Sequence, residues 1–427
     1  MKRVFQILLS GWFVILSLNS FSNRENEFYY QNAVFKEEIK SVQLFRDGAE
    51  LSHPVISLGT DEQLVLKFDD LSGRVKDYYY TIIHCDAGWN ESFISQNEYL
   101  DGFVENPLDD YALSFNTTVQ YVNYQLRIPN ERVGIKFSGN YVLVVYEDMD
   151  QEKVALTRRF HLLDQKVSVS GLVKRATFDP FKGENQEVDF TIRHERMMIA
   201  NPREEIQVVV MKNRRWDNAI TNLKPLFVRN RELDYNYNQE NVFSGGNEYR
   251  YFDARTYRFP GENVRAVDFF HPYYHLTLDI DEVRTNKNFF GYREMNGNFV
   301  MECQDRIEDY DTGCDYVFVH FTLDLEARLL GGTVNVFGAL TDWNANKSNE
   351  MTWNYERSVY ELSLLLKQGY YNYQYVYVPE GASQADETVL EGSFYETDNE
   401  YQILVYYRGI SGRYDELIGY QILNSRN

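Results

Sequence analysis

Cysteine, proline and positive charge are all scarce in this chain of 427 residues, and each scarcity excludes something. Three cysteines are too few for a disulfide scaffold or a multi-cysteine zinc module. Nine prolines leave no proline-rich linker, and no serine-rich one stands in for it. The units of the chain are therefore expected to pack against one another rather than swing freely. Lys and Arg number 43 against 64 Asp and Glu, a net charge of −21 with no concentrated basic patch. Such a surface repels phosphate, which excludes nucleic acid and anionic lipid as partners and keeps the chain soluble. Past the N-terminus no run of 18 apolar residues occurs, so no helix is expected to span a membrane. A membrane β-barrel is opposed by the polar tail at 424–427 and by strands that are apolar on both faces.

What is present is apolar and aromatic. Hydrophobic residues make up 44% and aromatics 16%, with 34 Tyr and 28 Phe, enough to bury real cores. The length suggests about two to four domains. Runs of β-branched and aromatic residues recur at 78–85 (YYYTIIHC), 140–146 (NYVLVVY), 206–211, 316–323 and 333–337, most of them bounded by Gly, Asp or Asn. In 370–378 (YYNYQYVYV), Tyr371, Tyr373, Tyr375 and Tyr377 share one face of a strand. Amphipathic helices are scarce. The chain reads as all-β, a tandem of immunoglobulin-like or fibronectin-like β-sandwiches. Residues 1–22 are set aside as a signal peptide, followed by units at 23–165, 166–327 and 328–427. The segment 229–262, crowded with Asn, Tyr, Arg and Gly, reads as long loops with short strands, either functional or a solvated meander.

Lys2 and Arg3 precede a mostly apolar stretch at 4–18, too short for a comfortable span, and Ser20-Phe21-Ser22 has the form of a cleavage site. Export is the expectation, and export permits disulfides. Cys303 and Cys314 are separated by ten residues, a span that a hairpin could close, whereas Cys85 sits in an apolar run as a buried thiol.

Catalytic patterns fail on geometry. His84 and Cys85 are neighbours on a strand and point to opposite faces, so the histidine cannot readily activate the thiol. His271 and His275 flank Pro272, which opposes a helix, and on a strand they lie about 13 Å apart, too far to share a metal. Asp309, Asp311, Gly313 and Asp315 lack the closing Glu of a calcium loop and suit a turn. No phosphate loop, nucleophile elbow or zinc spacing occurs. No catalytic residue, metal site or cofactor is assigned, and the chain is not expected to be an enzyme. Trp343, in GALTDWN at 338–344, either presents its ring to a sugar or a partner or folds back over its own core.

Several segments together resemble the type IX secretion system Plug family. They are YTIIHCDAGWNES (80–92), EYLDGF (98–103), Ser114-Phe115-Asn116-Thr117 with Tyr121 and Tyr124, and Ser138-Gly139-Asn140-Tyr141. They continue with FSGGNEYRYFD (243–253), Asp315-Tyr316 before VFVHFTL, VFGALTDWN (336–344) and LKQGYYNYQYVY (366–377). Their shared order carries the resemblance over almost the whole mature chain. The Cys303/Cys314 pair is no part of that pattern. The resemblance implies a non-catalytic periplasmic protein that binds the large outer-membrane translocon barrel of type IX secretion and closes its periplasmic opening. The third unit alone is similar to early-set immunoglobulin-like modules attached to α-glucan enzymes, which supplies an alternative: a glycan-binding protein of the cell envelope. Candidate partner contacts are Trp89 and Asn90, Phe243 and Tyr249, and Trp343, each an aromatic or its polar neighbour in a loop.

Overall fold

The structure is a computed structural model that describes residues 30–178, 180, 182–304 and 309–426. The expected signal peptide lies outside the described residues. The chain is all-β. Its described α-helices, such as Gln96–Tyr99 and Thr388–Glu391, are single turns of four residues. No helix is long and apolar enough to cross a membrane among the described residues.

The N-terminal sandwich packs two sheets. One runs Ala33–Val34, Val154–Leu163, Gly139–Glu147, Tyr78–Cys85, Asn106–Leu108 in spatial order, with Val55–Ser57 parallel to Val154–Leu163. The other runs Ile39–Arg46, Leu64–Asp70, Val122–Ile128, Asp110–Leu113. Alternation sends Tyr141, Leu143 and Val145 inward against Phe68, Tyr78 and Tyr124. The opposite face of the same strand, Val142, Val144 and Tyr146, is also buried, beside Cys85 and Trp89 and against Trp216. A strand covered on both faces reads as one continuous apolar run, which is why NYVLVVY stands out in the sequence.

The middle sandwich joins a sheet built on Ser168–Arg175 and Asn185–Arg193 to a second sheet of Ile206–Lys212, Glu400–Tyr407 and Glu416–Asn424. The third sandwich lies between these two stretches of sequence. Its sheets are centred on Gly369–Pro379, paired with Gly332–Phe337 and Arg250–Asp253, and on Tyr316–Asp324, paired with Tyr273–Leu278 and Val359–Lys367. Strand pairing thus cuts across the expected boundary between 327 and 328. Tyr316–Asp324 pairs with Val359–Lys367 beyond it, and Ile206–Lys212 takes its partner from near the C-terminus. The physical reason is that local alternation encodes a strand's faces but not the distant strand that pairs with its edge.

The segment 229–262 contains the short strands Glu232–Asp234, Val242–Ser244 and Arg250–Asp253. It carries the chain from the middle sandwich into the third, and Phe243, Asn247, Glu248 and Tyr249 are buried along the way.

Candidate partner-binding surfaces

Three contact regions lock the sandwiches together. Between the first and middle units the contact is apolar. Val209, Met211, Leu404, Tyr406 and Leu417 pack around Ala87, and Leu163 joins them. Tyr406 Oη donates to Asn140 Oδ1 at 2.8 Å, and the Ala87 amide donates to Asp415 at 2.8 Å. Between the middle and third units the centre is Glu387. It accepts from Lys212 at 2.8 Å, Arg215 at 2.6 Å and Ser244 Oγ at 2.8 Å. Burial alone would raise the pKa of this carboxyl, but Arg215 and Lys212 outweigh it and hold the group well below the usual range. Between the first and third units, Asp69 accepts from Lys367 Nζ at 2.7 Å, Tyr316 Oη at 2.6 Å and Asn123 Nδ2 at 2.8 Å. Arg158 adds a bidentate bond to Asp342, at 3.0 Å to each oxygen. Buried charges with their partners in place are costly to separate, so these contacts make one stiff body.

The aromatics singled out in the sequence sit at these junctions, not on the outer surface. Trp89 is buried, edge-on to Trp216 at 5.2 Å between ring centroids. Its φ of 65° is uncommon for a bulky residue. The Asp86 carboxylate supports that turn by accepting from the amides of Gly88 and Asn90, each at 2.9 Å. Asn90 is exposed, yet its side-chain amide also turns back to Asp86. Phe243 packs on Tyr401 in the middle core. Tyr249 meets Trp343 edge-on at 5.9 Å, and Trp343 also contacts Phe337 at 5.8 Å. A Cβ on Gly297 would come within 2.3 Å of the Trp343 ring, and its φ of +77° independently favours glycine. Trp343 therefore folds back over its own core.

The tyrosine stripe is likewise internal. Tyr371, Tyr373 and Tyr375 are buried, and Asp281 accepts from Tyr373 at 2.6 Å and Tyr375 at 2.8 Å. Neither feature that motivated glycan binding presents an open aromatic platform.

The remaining motifs resolve as structural. His84 bonds Ser92 at 2.9 Å and packs on Tyr141, whereas Cys85 lies in the apolar cluster of the opposite face. Burial lowers the His84 pKa to about 4 and raises the Cys85 thiol far above its usual value. His275 pairs with His320 at 2.8 Å rather than with His271. Asp309 caps the turn Tyr310–Gly313, Asp311 pairs with Lys67 at 2.8 Å, and Asp315 accepts from the Thr118 amide. Cys303 and Cys314 are both buried thiols, and no disulfide joins them in this structure. Instead, their side chains hydrogen-bond, and that contact together with burial raises the Cys314 thiol far above its usual range. No group of three or more His, Cys, Asp or Glu among the described residues could hold a metal ion.

Surfaces open to a partner lie elsewhere. Phe93 is 98% exposed and Ile410 is 90% exposed. They stand on loops 86–95 and 408–415, which are tied together by the Ala87–Asp415 bond and by Arg413 to Glu98 at 2.7 Å. Two sheet edges are also bare. Asp110–Leu113 and Phe227–Arg229 end their sheets and are exposed at every position. Such edges are ready sites for pairing with another chain. The signal missed in the sequence was local: Phe93 is an apolar residue inside a polar run, and Ile410 stands among Gly, Ser and Arg.

Residues 39–164 match the family model described as the type 9 secretion system plug protein 1st domain. Among solved structures, the chain is similar to a crystal structure of a hypothetical protein from Parabacteroides merdae. The two are 36% identical, with a TM-score of 0.90, and the match covers 92% of this chain and 99% of that one. No curated protein matches.

Proposed function

Because the chain belongs to the type 9 secretion system plug family, we propose that it binds the large outer-membrane translocon barrel of type IX secretion and closes its periplasmic opening when no substrate is passing. The family match supports a role in type IX secretion and an exported, envelope-associated protein, and on this reading the role is mechanical rather than catalytic. The match over residues 39–164 is the observation that carries the reading. The architecture supports it physically. A pore wide enough for folded cargo leaks unless something broad and stiff covers it. Three sandwiches fixed by an apolar interface and buried ion pairs form such a body. A stopper must also release, which suits contacts made by exposed loops and sheet edges rather than by a membrane anchor.

The test is removal of the protein from cells that keep the translocon. Large antibiotics that normally cannot cross the outer membrane should gain entry, while secretion of cargo continues. Unchanged permeability with the translocon present and unplugged would contradict the proposal.

A further inference from the structure

Where the three sandwiches meet, the chain forms a partly open cavity of about 140 Å³. Arg158, Arg159 and His161 of the first unit, Arg214 and Trp216 of the middle unit and Asp342 of the third line it. One water needs only about 15 Å³ by this measure, so the space holds a group of several heavy atoms. Its charges do not balance. Asp342 is committed to Arg158 through both oxygens. Glu50, at the rim, lies 3.7 Å from Lys67. Arg214 donates to the carbonyls of Leu51 and Ser52. Arg159 forms no ion pair with a carboxylate among the described residues. Its Nε donates to the Tyr30 carbonyl at 2.5 Å, and its two terminal nitrogens have no acceptor among them. The guanidinium lies over Trp89 at 4.2 Å and Trp216 at 5.2 Å.

Two ring nitrogens near Arg159 also stand without a partner among the described residues, Trp89 Nε1 behind the cavity wall and His161 Nε2 on its lining. The first is buried, and His161 uses its Nδ1 on Asn140 at 2.8 Å. Burial lowers the Arg159 pKa to about 9 and the His161 pKa to about 3. A guanidinium with unused N–H donors and no carboxylate partner, on a cavity that Arg158 and Arg214 also line, is a place for an anion.

We propose that this junction cavity binds a small tetrahedral oxyanion of the phosphate or sulfate class, with Arg159 as its counter-charge. The site does not rest on the plug reading. An anion held there would brace the place where all three sandwiches meet.

The test is a titration of the full mature chain with sodium phosphate, followed by tryptophan emission, against sodium chloride at matched ionic strength. Trp89 and Trp216 stack on Arg159, so phosphate should give a saturable change that chloride does not. Arg159→Gln should weaken phosphate by about tenfold or more, the scale of a lost charge-assisted hydrogen bond, and Arg159→Lys should fall between. Circular dichroism establishes that each variant is folded. Should Arg159→Gln not fold, equilibrium dialysis of the unmodified chain with labelled phosphate decides, one phosphate per chain being expected. No saturable binding by either method, a folded Arg159→Gln that titrates unchanged, or uptake of acetate without phosphate would overturn the assignment.

Discussion

Glu294 and Glu248 are the residues whose chemistry most directly sets a solution property. Burial, with Glu248 nearby, raises the Glu294 pKa to about 8, and burial raises Glu248 to about 7. Asp398 adds repulsion to both, while Arg426 lies 3.1 Å from Glu248 and pulls it down. A carboxyl whose folded pKa exceeds its unfolded value binds its proton more tightly in the folded state. Its contribution to stability is complete below the unfolded value near 4.5 and is lost as pH rises through the folded one. Glu391 runs the other way: burial is outweighed by Arg250 and Arg284, its pKa falls to about 2, and its contribution is lost as pH falls toward that value. Denaturant unfolding should therefore show stability declining between pH 5 and pH 8.5. Glu294→Gln should flatten that decline and stabilise the chain at pH 8.5, by at most about 5 kcal/mol at ~1.4 kcal/mol per pKa unit and by less because solvent reaches part of the side chain. A variant with the same slope as the parent chain would remove Glu294 as its cause. None of this was legible in the sequence. With 64 acidic residues, nothing local marks the few that folding buries.

At the scale of elements, the strands were legible where one face or both faces are buried. YYYTIIHC, NYVLVVY and YYNYQYVYV all became central strands, because apolar and aromatic runs bounded by turn residues have few other stable uses. The loop aromatics misled for an identifiable reason. Trp89, Phe243, Tyr249 and Trp343 do sit in turns or short irregular segments, but their rings turn inward, Trp89 against Trp216 of the middle unit, Phe243 into the middle core and Trp343 with Tyr249 over Phe337. Composition cannot distinguish the two. Phe93 and Ile410, among the most exposed apolar side chains, stand on loops and belong to no core cluster. Replacing both by Asp should change unfolding free energy by no more than about 0.5 kcal/mol, as at ordinary surface positions. If these loops contact the translocon, the same double variant should recover it at least about tenfold less well in affinity purification, a loss of ~1.4 kcal/mol. Undiminished recovery would move the contact to the bare edges at Asp110–Leu113 or Phe227–Arg229.

The whole molecule is three sandwiches, with the third carried between two stretches of the second. Sequence gave the fold class and the likeness to a family, because both rest on patterns a few residues long. It could not give the insertion, because pairing of Ile206–Lys212 with Glu400–Tyr407 is decided by contacts far apart in the chain. The consequence is mechanical. Each sandwich is held to both others by buried side chains, so force on one is shared by all three. A body of that kind suits the stopper proposed above, and the family match ties the chain to type IX secretion. The direct measurement is affinity purification of the tagged chain from gently solubilised membranes, with mass spectrometry of what accompanies it. The account predicts stoichiometric recovery of one very large outer-membrane β-barrel. Recovery of the chain alone, from the soluble periplasmic fraction, would contradict it.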